Sequence, residues 1–229
     1  MSKRPSTREP QYEGCLDLDE RKGRTRFGLM SNLAWDSDPR RLVFLLSRYK
    51  FVSKMLSGAH RVLEVGCADA FGTRVVQQEV GSVTAIDFDP VFVDDVNSRW
   101  DPDWPIDCRV HDMLDGPIPE VFDAAYSLDV LEHIRVEDEA AFIRNIADSL
   151  ASPGTLIIGT PTASSQPWAS EPSKQGHVNC KTEVELRATL GAHFHSVLLF
   201  SMNDEIVHTG FYPLAHYFMA VCTGKRDRS

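Results

Sequence analysis

The sequence contains few cysteines, and none of them occur in closely spaced pairs of the kind that bind metals or form disulfides. Five cysteines are scattered along the 229 residues, and no Cys-x-x-Cys pair occurs among them. A disulfide framework and a zinc site of paired cysteines are therefore not indicated. We expect reduced thiols, as in a cytoplasmic protein.

Excess basic charge is also missing. Lysine and arginine total 24 against 33 aspartates and glutamates, which gives a formal net charge of −9. An acidic surface repels phosphate backbones and anionic lipid, so neither a nucleic acid nor a membrane is expected as a partner. The basic clusters near the two chain ends are interpreted as solvated tails.

Long apolar runs are absent as well. The first residues, MSKRPSTREPQYEG, have no apolar core of the kind that a signal peptide requires. The segment 206–224 has no Asp, Glu, Lys or Arg, but it contains histidine, glycine and proline. We interpret it as a buried strand with a loop and not as a membrane span.

The remaining composition is that of a globular protein with a real core. Hydrophobic residues make up 42% and charged residues 25% of the chain. The length suits one domain of ordinary size. We predict an N-terminal arm and site cover over 1–37, with about the first 25 residues loose. A single domain over 38–224 and a flexible tail over 225–229 should follow.

Within that domain, helix and strand patterns alternate. A helix is predicted from Asp38 or Pro39 to about Leu56, because apolar residues recur there at helical spacing. Strands are predicted at 61–66, 82–88, 108–113, 122–130 and 155–160, with helices at 73–80, 90–99 and 136–150. This alternation implies a parallel sheet covered on both faces.

The final third of the chain has a different pattern. Thr182 and Glu185 form a capping box that starts a helix. Strands are predicted at 195–202 and 216–222 with no helix between them, so they can pair only antiparallel. The predicted fold is α/β, a Rossmann-like doubly wound seven-stranded sheet. It has five parallel strands and a C-terminal antiparallel hairpin, and ligands bind such sheets at the carboxyl ends of the parallel strands.

The loop after the first strand argues against a dinucleotide. It contains Gly66, but Ala68 and Phe71 stand where the dinucleotide fingerprint has glycine. The lysine of a phosphate-binding P-loop is missing too. Pyrophosphate binding, and with it a dehydrogenase, is therefore disfavoured.

Acidic residues instead end the first three strands. Glu64, Asp87 and Asp112 occupy these positions, and the apolar Met113 follows the third. An acid after the second strand can accept hydrogen bonds from ribose hydroxyls. Each acid alone could be a helix cap, but three in register fit a cationic nucleoside without phosphate. We therefore predict S-adenosylmethionine as the cofactor.

Four segments also carry a family resemblance: VLEVGCADAFG, AIDFDP, FDAAYSLDVLEHI and LASPGTLIIGTP. Over about 38–222 the chain resembles class I S-adenosylmethionine-dependent methyltransferases, and SLDVLEHI most resembles their small-molecule branch. The resemblance implies the strand order 3-2-1-4-5-7-6. It also implies cofactor contacts from Glu64, Gly66, Cys67, Ala68, Asp87, Phe88, Asp112, Met113 and Leu128. The family commonly has glycine at positions 68 and 70, so the two alanines predict a slightly tighter pocket.

Residues for the methyl acceptor are less sharply indicated. His177 is the first candidate for the base that removes the acceptor proton, His133 the second, and His208 a weaker third. Arg48 is a candidate for the methionine carboxylate of the cofactor. Candidates for substrate binding are Trp35, Asp129, Asn179, Asn203 and His208. No carboxylate spacing indicates a metal, so none is expected.

The sequence thus predicts an enzyme that methylates a small polar metabolite. An O-methyltransferase acting on a hydroxyl of a sugar or nucleotide-sugar is the leading interpretation. Alternatives are an N-methyltransferase, a nucleic-acid or protein methyltransferase, and a cofactor-binding protein without catalysis. The sequence indicates neither the acceptor nor the oligomeric state.

Overall fold

The centre of the molecule is one mixed sheet, seen in a computed structural model that describes residues 5–226. Its strands are β1 (Arg61–Val65), β2 (Ser82–Asp87), β3 (Asp107–Val110), β4 (Phe122–Leu128), β5 (Leu150–Pro161), β6 (Phe194–Asn203), β7 (Ile206–His208) and β8 (Tyr217–Lys225). The helices are α1 (Glu13–Lys22), α2 (Leu29–Ser37), α3 (Arg40–Met55), α4 (Thr73–Val76), α5 (Pro90–Ser98), α6 (Glu139–Asp148), α7 (Glu171–Gly176) and α8 (Glu183–Gly191).

The strand order confirms the predicted topology and adds one strand to it. The order is β3-β2-β1-β4-β5-β8-β6-β7. β1 to β5 pair in parallel, and β8 runs antiparallel to both β5 and β6. The additional strand, β7, is three residues long and pairs with the end of β6 at the sheet edge. A run that short carries no alternation from which to predict a strand.

Several element bounds differ from the predictions. β3 ends at Val110, so Asp112 and Met113 lie in the loop after it and not at the end of a strand over 108–113. α4 ends at Val76, four residues before the predicted end at 80. β5 starts at Leu150, which pairs with Phe122 of β4, and the register shifts before the pairing resumes at Thr155, although Pro153 and Gly154 are typical of a turn. A three-residue 3-10 turn, Tyr212–Leu214, lies between β7 and β8. It is too short to be a crossover helix, so the antiparallel pairing is unaffected.

The prediction that about the first 25 residues are loose is wrong over 13–22, which form the helix α1, and the helix α2 was not predicted. α1 buries no side chain and is attached through Lys22, whose Nζ lies 2.7 Å from Asp101 and 2.6 Å from Asp103. The backbone N–H of Ser31 in α2 donates to Asp69 at 2.7 Å. The sequence did not predict these helices, because they are rich in polar residues and their contacts with distant charged residues produce no local sequence pattern. Residues 1–4 of the arm and 227–229 of the tail lie outside the described residues.

The core lies on both faces of the sheet. Leu63 and Val65 of β1 pack on one face with α6 and α8, whereas Val62 packs on the other with α3. This burial on both sides explains the nearly continuous apolar character of the central strands. Among the helices within 5–226, none has the length and apolar character needed to cross a membrane.

Candidate active site

The loop after β1 packs closely against the segment after β4 and has a strained backbone. Gly66 has a φ of +75°, and a Cβ there would stand 2.3 Å from Cγ2 of Val130. Only glycine fits this position. Ala68 and Ala70 also have positive φ angles, 45° and 49°, which cost a non-glycine residue roughly 1 kcal/mol or more. Backbone strain of this kind clusters at binding loops.

Asp87 lies beside this loop at the end of β2. Its carboxylate accepts hydrogen bonds from the N–H groups of Ala68 at 2.8 Å and Asp89 at 3.0 Å. A carboxylate offers about four lone-pair sites, so these two bonds orient it and leave sites for hydroxyl donors. The neighbouring Phe88 is 71% exposed. Its ring is free to cover a flat ligand group.

The third predicted acid also lies at this edge of the sheet. Asp112 is half-buried, and one carboxylate oxygen accepts the N–H of Leu114 at 2.8 Å. Met113 and Leu128 are buried beneath. The loop segments 66–72, 87–89 and 111–114 are called the cofactor side below.

Two of the predicted cofactor residues have their side chains below the loop. The Glu64 carboxylate is buried and accepts hydrogen bonds from the hydroxyls of Tyr49, Tyr126 and Thr73. Burial raises the pKa of Glu64 to about 7, against the opposing effect of these hydroxyls. The Cys67 thiol is also buried, with its Sγ 3.8 Å from that of Cys108. Only the backbone of these two positions can face a ligand.

Arg48 reaches the carboxyl end of β4 from α3. Its Nη1 lies 2.6 Å from a carboxylate oxygen of Asp129, and its guanidinium stacks 3.7 Å from the ring centre of Tyr217. The Nε of Arg48 is buried and has no hydrogen-bond partner among residues 5–226. An unpaired buried donor of this kind suits a ligand carboxylate.

Beyond β4 and β5, the segments 129–133 and 162–179 form what is called the acceptor side below. The 3-10 turn Leu131–His133 places the Glu132 carboxylate inward, 1% exposed, where it accepts a hydrogen bond from Thr160 at 3.2 Å. The rings of His133 and His177 lie edge to face, with centroids 5.2 Å apart. One potential ligand atom from each of Glu132, His133 and His177 lies within 4.8 Å of the other two.

The surroundings shift the proton affinities of this cluster. Burial, reinforced by the nearby charge of Asp129, raises the pKa of Glu132 to about 8. Burial, together with His133, lowers the pKa of His177. Both shifts favour the neutral form of the group.

Hydrogen bonds join the two segments of the acceptor side. The N–H groups of Val178 and Asn179 both donate to the carbonyl oxygen of Glu132, at 2.8 and 3.0 Å. Nδ1 of His133 lies 2.9 Å from the carbonyl oxygen of Gly176. The two histidines are therefore held in a fixed relation although 43 residues separate His133 from Gly176.

The other predicted substrate residues have protein partners. The Asn179 amide is buried between Glu139 and Lys181. Asn203 binds His208, whose second ring nitrogen accepts the N–H of Gly210. Trp35 is 55% exposed and packs against Phe27. Among the predicted residues, the structure thus pairs Arg48 with Asp129, His133 with His177, and Asn203 with His208. Sequence reasoning missed Glu132, although it lies inside the SLDVLEHI segment.

Comparison with known proteins agrees with this arrangement. Residues 63–158 match the methyltransferase domain family. The chain is 30% identical over 104 residues to a probable S-adenosylmethionine-dependent methyltransferase of Mycobacterium tuberculosis, covering 45% of this chain and 36% of that protein. It is 33% identical over 143 residues to the ubiquinone biosynthesis O-methyltransferase of Xanthomonas campestris pv. campestris, covering 59% of each. The chain thus spans between about a third and three fifths of the length of these relatives.

A solved structure shows the same fold. The N-methyltransferase NodS of Bradyrhizobium japonicum, in complex with S-adenosylhomocysteine, superposes with a TM-score of 0.58 at 20% identity, over 81% of this chain and 87% of that one. The strand order is the one expected for the class I S-adenosylmethionine-dependent methyltransferases, and the domain match over 63–158 points to the same class. The methyl donor of that class is S-adenosylmethionine.

The residues at the cofactor side fit this donor. Asp87 keeps free acceptor sites for ribose hydroxyls, and the exposed ring of Phe88 can cover the adenine. The unpaired Nε of Arg48 can meet the methionine carboxylate.

Proposed function

We propose that the protein transfers a methyl group from S-adenosylmethionine to a hydroxyl oxygen of a small polar metabolite of the sugar or nucleotide-sugar type. The observation that carries this proposal is the placement of an imidazole pair beside the carboxyl end of β4, next to the cofactor side. A hydroxyl acceptor needs its proton removed, and imidazole is the side chain best suited to that at neutral pH.

On the cofactor side, the protein binds and orients S-adenosylmethionine. Asp87 would hold the ribose, Phe88 and Met113 would cover the adenine, Asp112 would accept a hydrogen bond from its amino group, and Arg48 would bind the methionine carboxylate. The cofactor supplies an activated methyl group on a sulfonium that is already a good leaving group. Aligning the acceptor with that methyl group provides much of the rate acceleration.

On the acceptor side, the hydroxyl oxygen gains the methyl carbon while the carbon–sulfur bond breaks, and the hydroxyl proton passes to a base. His177 is the proposed base. Its Nδ1 lies 2.8 Å from Oε1 of Gln166, an atom that can only accept, so Nδ1 carries the proton and Nε2 is left basic. His133 has the same tautomer for the same reason and is the second candidate.

Oxygen is favoured over nitrogen by the named activity of the Xanthomonas campestris relative. The net charge of −9 supports a small molecule over a nucleic acid as the acceptor. All five cysteines are free thiols, which supports a cytoplasmic location. Asp129, beside the imidazole pair, is the substrate residue that we retain from the sequence.

Calorimetry with S-adenosylhomocysteine tests the cofactor part of the proposal. Wild-type protein should bind it, and Asp87→Ala should weaken binding about tenfold or more, because a charge-assisted hydrogen bond contributes roughly 1.5–3 kcal/mol. Asp94→Ala, which removes an exposed acid of α5, is the matched control. No binding by wild type, or preferential binding of a nicotinamide dinucleotide, would contradict the proposal.

A labelled-methyl assay tests the acceptor part. Pools of sugars, nucleotide-sugars, phenols and amines are offered with labelled S-adenosylmethionine, and mass spectrometry locates the methyl group. Methylation of oxygen in the sugar pools is expected. Methylation of amines alone would replace the proposal with an N-methyltransferase.

A further inference from the structure

We infer that Glu132, His133 and His177 form a binding site for a divalent first-row transition metal ion on the acceptor side. The inference rests on the proposed function only for the use that the ion would have. The site itself rests on geometry: one potential ligand atom from each residue lies within 4.8 Å of the other two. Two imidazoles and one carboxylate are a set that zinc, cobalt, manganese and iron accept, whereas magnesium prefers oxygen ligands alone.

The tautomer of His133 suits a metal ligand. Its Nδ1 lies 2.9 Å from the carbonyl oxygen of Gly176, which can only accept a hydrogen bond. Nδ1 therefore carries the proton, and Nε2 keeps its lone pair. Histidines that bind metals in proteins almost always donate their other ring N–H to a carbonyl, carboxylate or water in this way.

The tautomer of His177 is fixed by Gln166. The amide nitrogen of Gln166 donates to the carbonyl oxygen of Thr162 at 3.1 Å, so its amide oxygen must face the imidazole. That oxygen accepts from Nδ1 of His177 at 2.8 Å, which leaves Nε2 with its lone pair. Two unrelated acceptors thus leave the same nitrogen open on both rings.

The three side chains are also held in place before any ion arrives. The carbonyl oxygen of Glu132 accepts the N–H groups of Val178 and Asn179, which fixes the segment carrying His177 against the turn carrying Glu132 and His133. The Glu132 carboxylate is oriented by Thr160. Preorganised ligands with oriented partners are what a metal site requires.

His208 shows that this arrangement is not a general feature of the histidines here. Its Nε2 binds Oδ1 of Asn203, and its Nδ1 accepts the N–H of Gly210. Both ring nitrogens are occupied, so this imidazole has no lone pair for an ion.

A bound ion changes how the acceptor loses its proton. A hydroxyl oxygen that coordinates the ion becomes more acidic, as water does on zinc. Its proton then passes to solvent water while the oxygen gains the methyl carbon and the carbon–sulfur bond breaks. In this arrangement Nε2 of His177 holds the ion and does not take the proton.

Cobalt(II) is the probe that tests the site, because its visible absorption reports coordination without any enzymatic assay. Full-length, untagged, metal-free protein is titrated with Co²⁺ and followed by absorption and calorimetry. We expect one Co²⁺ per chain and much weaker binding of Mg²⁺. His133→Ala and His177→Ala should each weaken Co²⁺ binding at least tenfold. His60→Ala, an exposed histidine at the amino end of β1, is the control and should bind as wild type does.

Gln166 separates metal binding from a merely structural role. Gln166→Ala should weaken Co²⁺ binding by about ten- to a hundredfold, the usual effect of removing a partner of a ligating histidine. Gln166→Glu keeps an acceptor oxygen and should restore it. Circular dichroism and thermal unfolding show whether each variant folds.

The outcomes distinguish this inference from the proposed function. Absence of Co²⁺ binding by wild type, or binding that the His133 and His177 variants leave unchanged, overturns the metal site. If S-adenosylhomocysteine still binds in that case, the proposed function stands with His177 as the base. If Co²⁺ binds as expected and S-adenosylhomocysteine does not, the proposed function fails and the metal site stands.

Discussion

The cofactor side and the acceptor side use polar side chains in opposite ways. Asp87 accepts two backbone hydrogen bonds from its own surroundings and can still accept more. His133 and His177 each donate one hydrogen bond to the protein and have one nitrogen left. A carboxylate can thus be positioned without losing its binding capacity. For an imidazole, the partner of one nitrogen decides what the other can do.

Among the substitutions that test this difference between the two sides, we expect the largest effect on activity at His177. His177→Ala should lower kcat by about a hundredfold or more, since we propose that the ring serves the acceptor as base or as metal ligand. The affinity for S-adenosylhomocysteine should stay within about twofold, because the ring contacts Gln166 and His133 of the acceptor side. Steady-state kinetics and calorimetry measure the two quantities. His195→Ala, an exposed histidine of β6, is the control. A loss of cofactor affinity equal to the loss of kcat would show that the two sides are not separate.

Gly66→Ala is expected to affect both sides at once. The added Cβ would stand 2.3 Å from Val130, which adjoins Asp129, and φ is +75°. We expect the free energy of unfolding to fall by about 1–3 kcal/mol and cofactor affinity to fall with it. Denaturant unfolding and calorimetry measure these effects. Gly14→Ala in α1 is the control, because a Cβ there contacts nothing within 4 Å. Unchanged stability would mean that the loop adapts.

A smaller effect, confined to the cofactor side, is expected at Phe88. Phe88→Ala should weaken S-adenosylhomocysteine binding by about fivefold, the equivalent of roughly 1 kcal/mol for one aromatic contact. Thermal unfolding should not change, because the ring is 71% exposed and contributes little to the core. Val91→Ala removes another exposed apolar side chain nearby and should leave affinity as it is. Equal affinities of the Phe88 variant and wild type would remove Phe88 from the site.

The smallest functional effect is expected at Glu64, which acts on stability and not on the ligand. Its pKa is about 7 when folded against 4.5 in the unfolded reference, so the folded state holds the proton more tightly. The stabilising contribution is complete below pH 4.5 and is lost as the pH rises through 7. Glu64→Gln should therefore flatten the fall in stability between about pH 5 and 7.5. Denaturant unfolding at several pH values measures the slope, and equal slopes would contradict the expectation.

Local patterns were enough to predict much of the fold. The capping box at Thr182 and Glu185 is confirmed, and so is the antiparallel pairing that followed from the missing helix between the last strands. β7 and the helices α1 and α2 could not be predicted in the same way. The first is too short to show a period, and the other two have no strongly apolar face.

The candidate site was less predictable because it depends on distant partners. Asp87 could be placed from its position after a strand. The role of Glu132 could not, because the turn that buries it is recognisable only in three dimensions. The tautomer of His177 depends on Gln166, and that of His133 on Gly176, which lies 43 residues further along the chain. Asn179 is hydrogen-bonded to Glu139 and Lys181, and no spacing in the sequence predicts these hydrogen bonds.

The packing of α1 against the rest of the protein should depend on ionic strength, because ion pairs hold this helix in place. The helix buries no side chain, and Lys22 attaches it to Asp101 and Asp103 through partly exposed ion pairs. Such pairs weaken as salt shortens the screening length from about 10 Å at 0.1 M to about 3 Å at 1 M. The sheet and its apolar core respond little to the same change. High salt should therefore loosen α1 while the sheet stays folded, and proteases added at rising salt concentrations should cut first between α1 and α2.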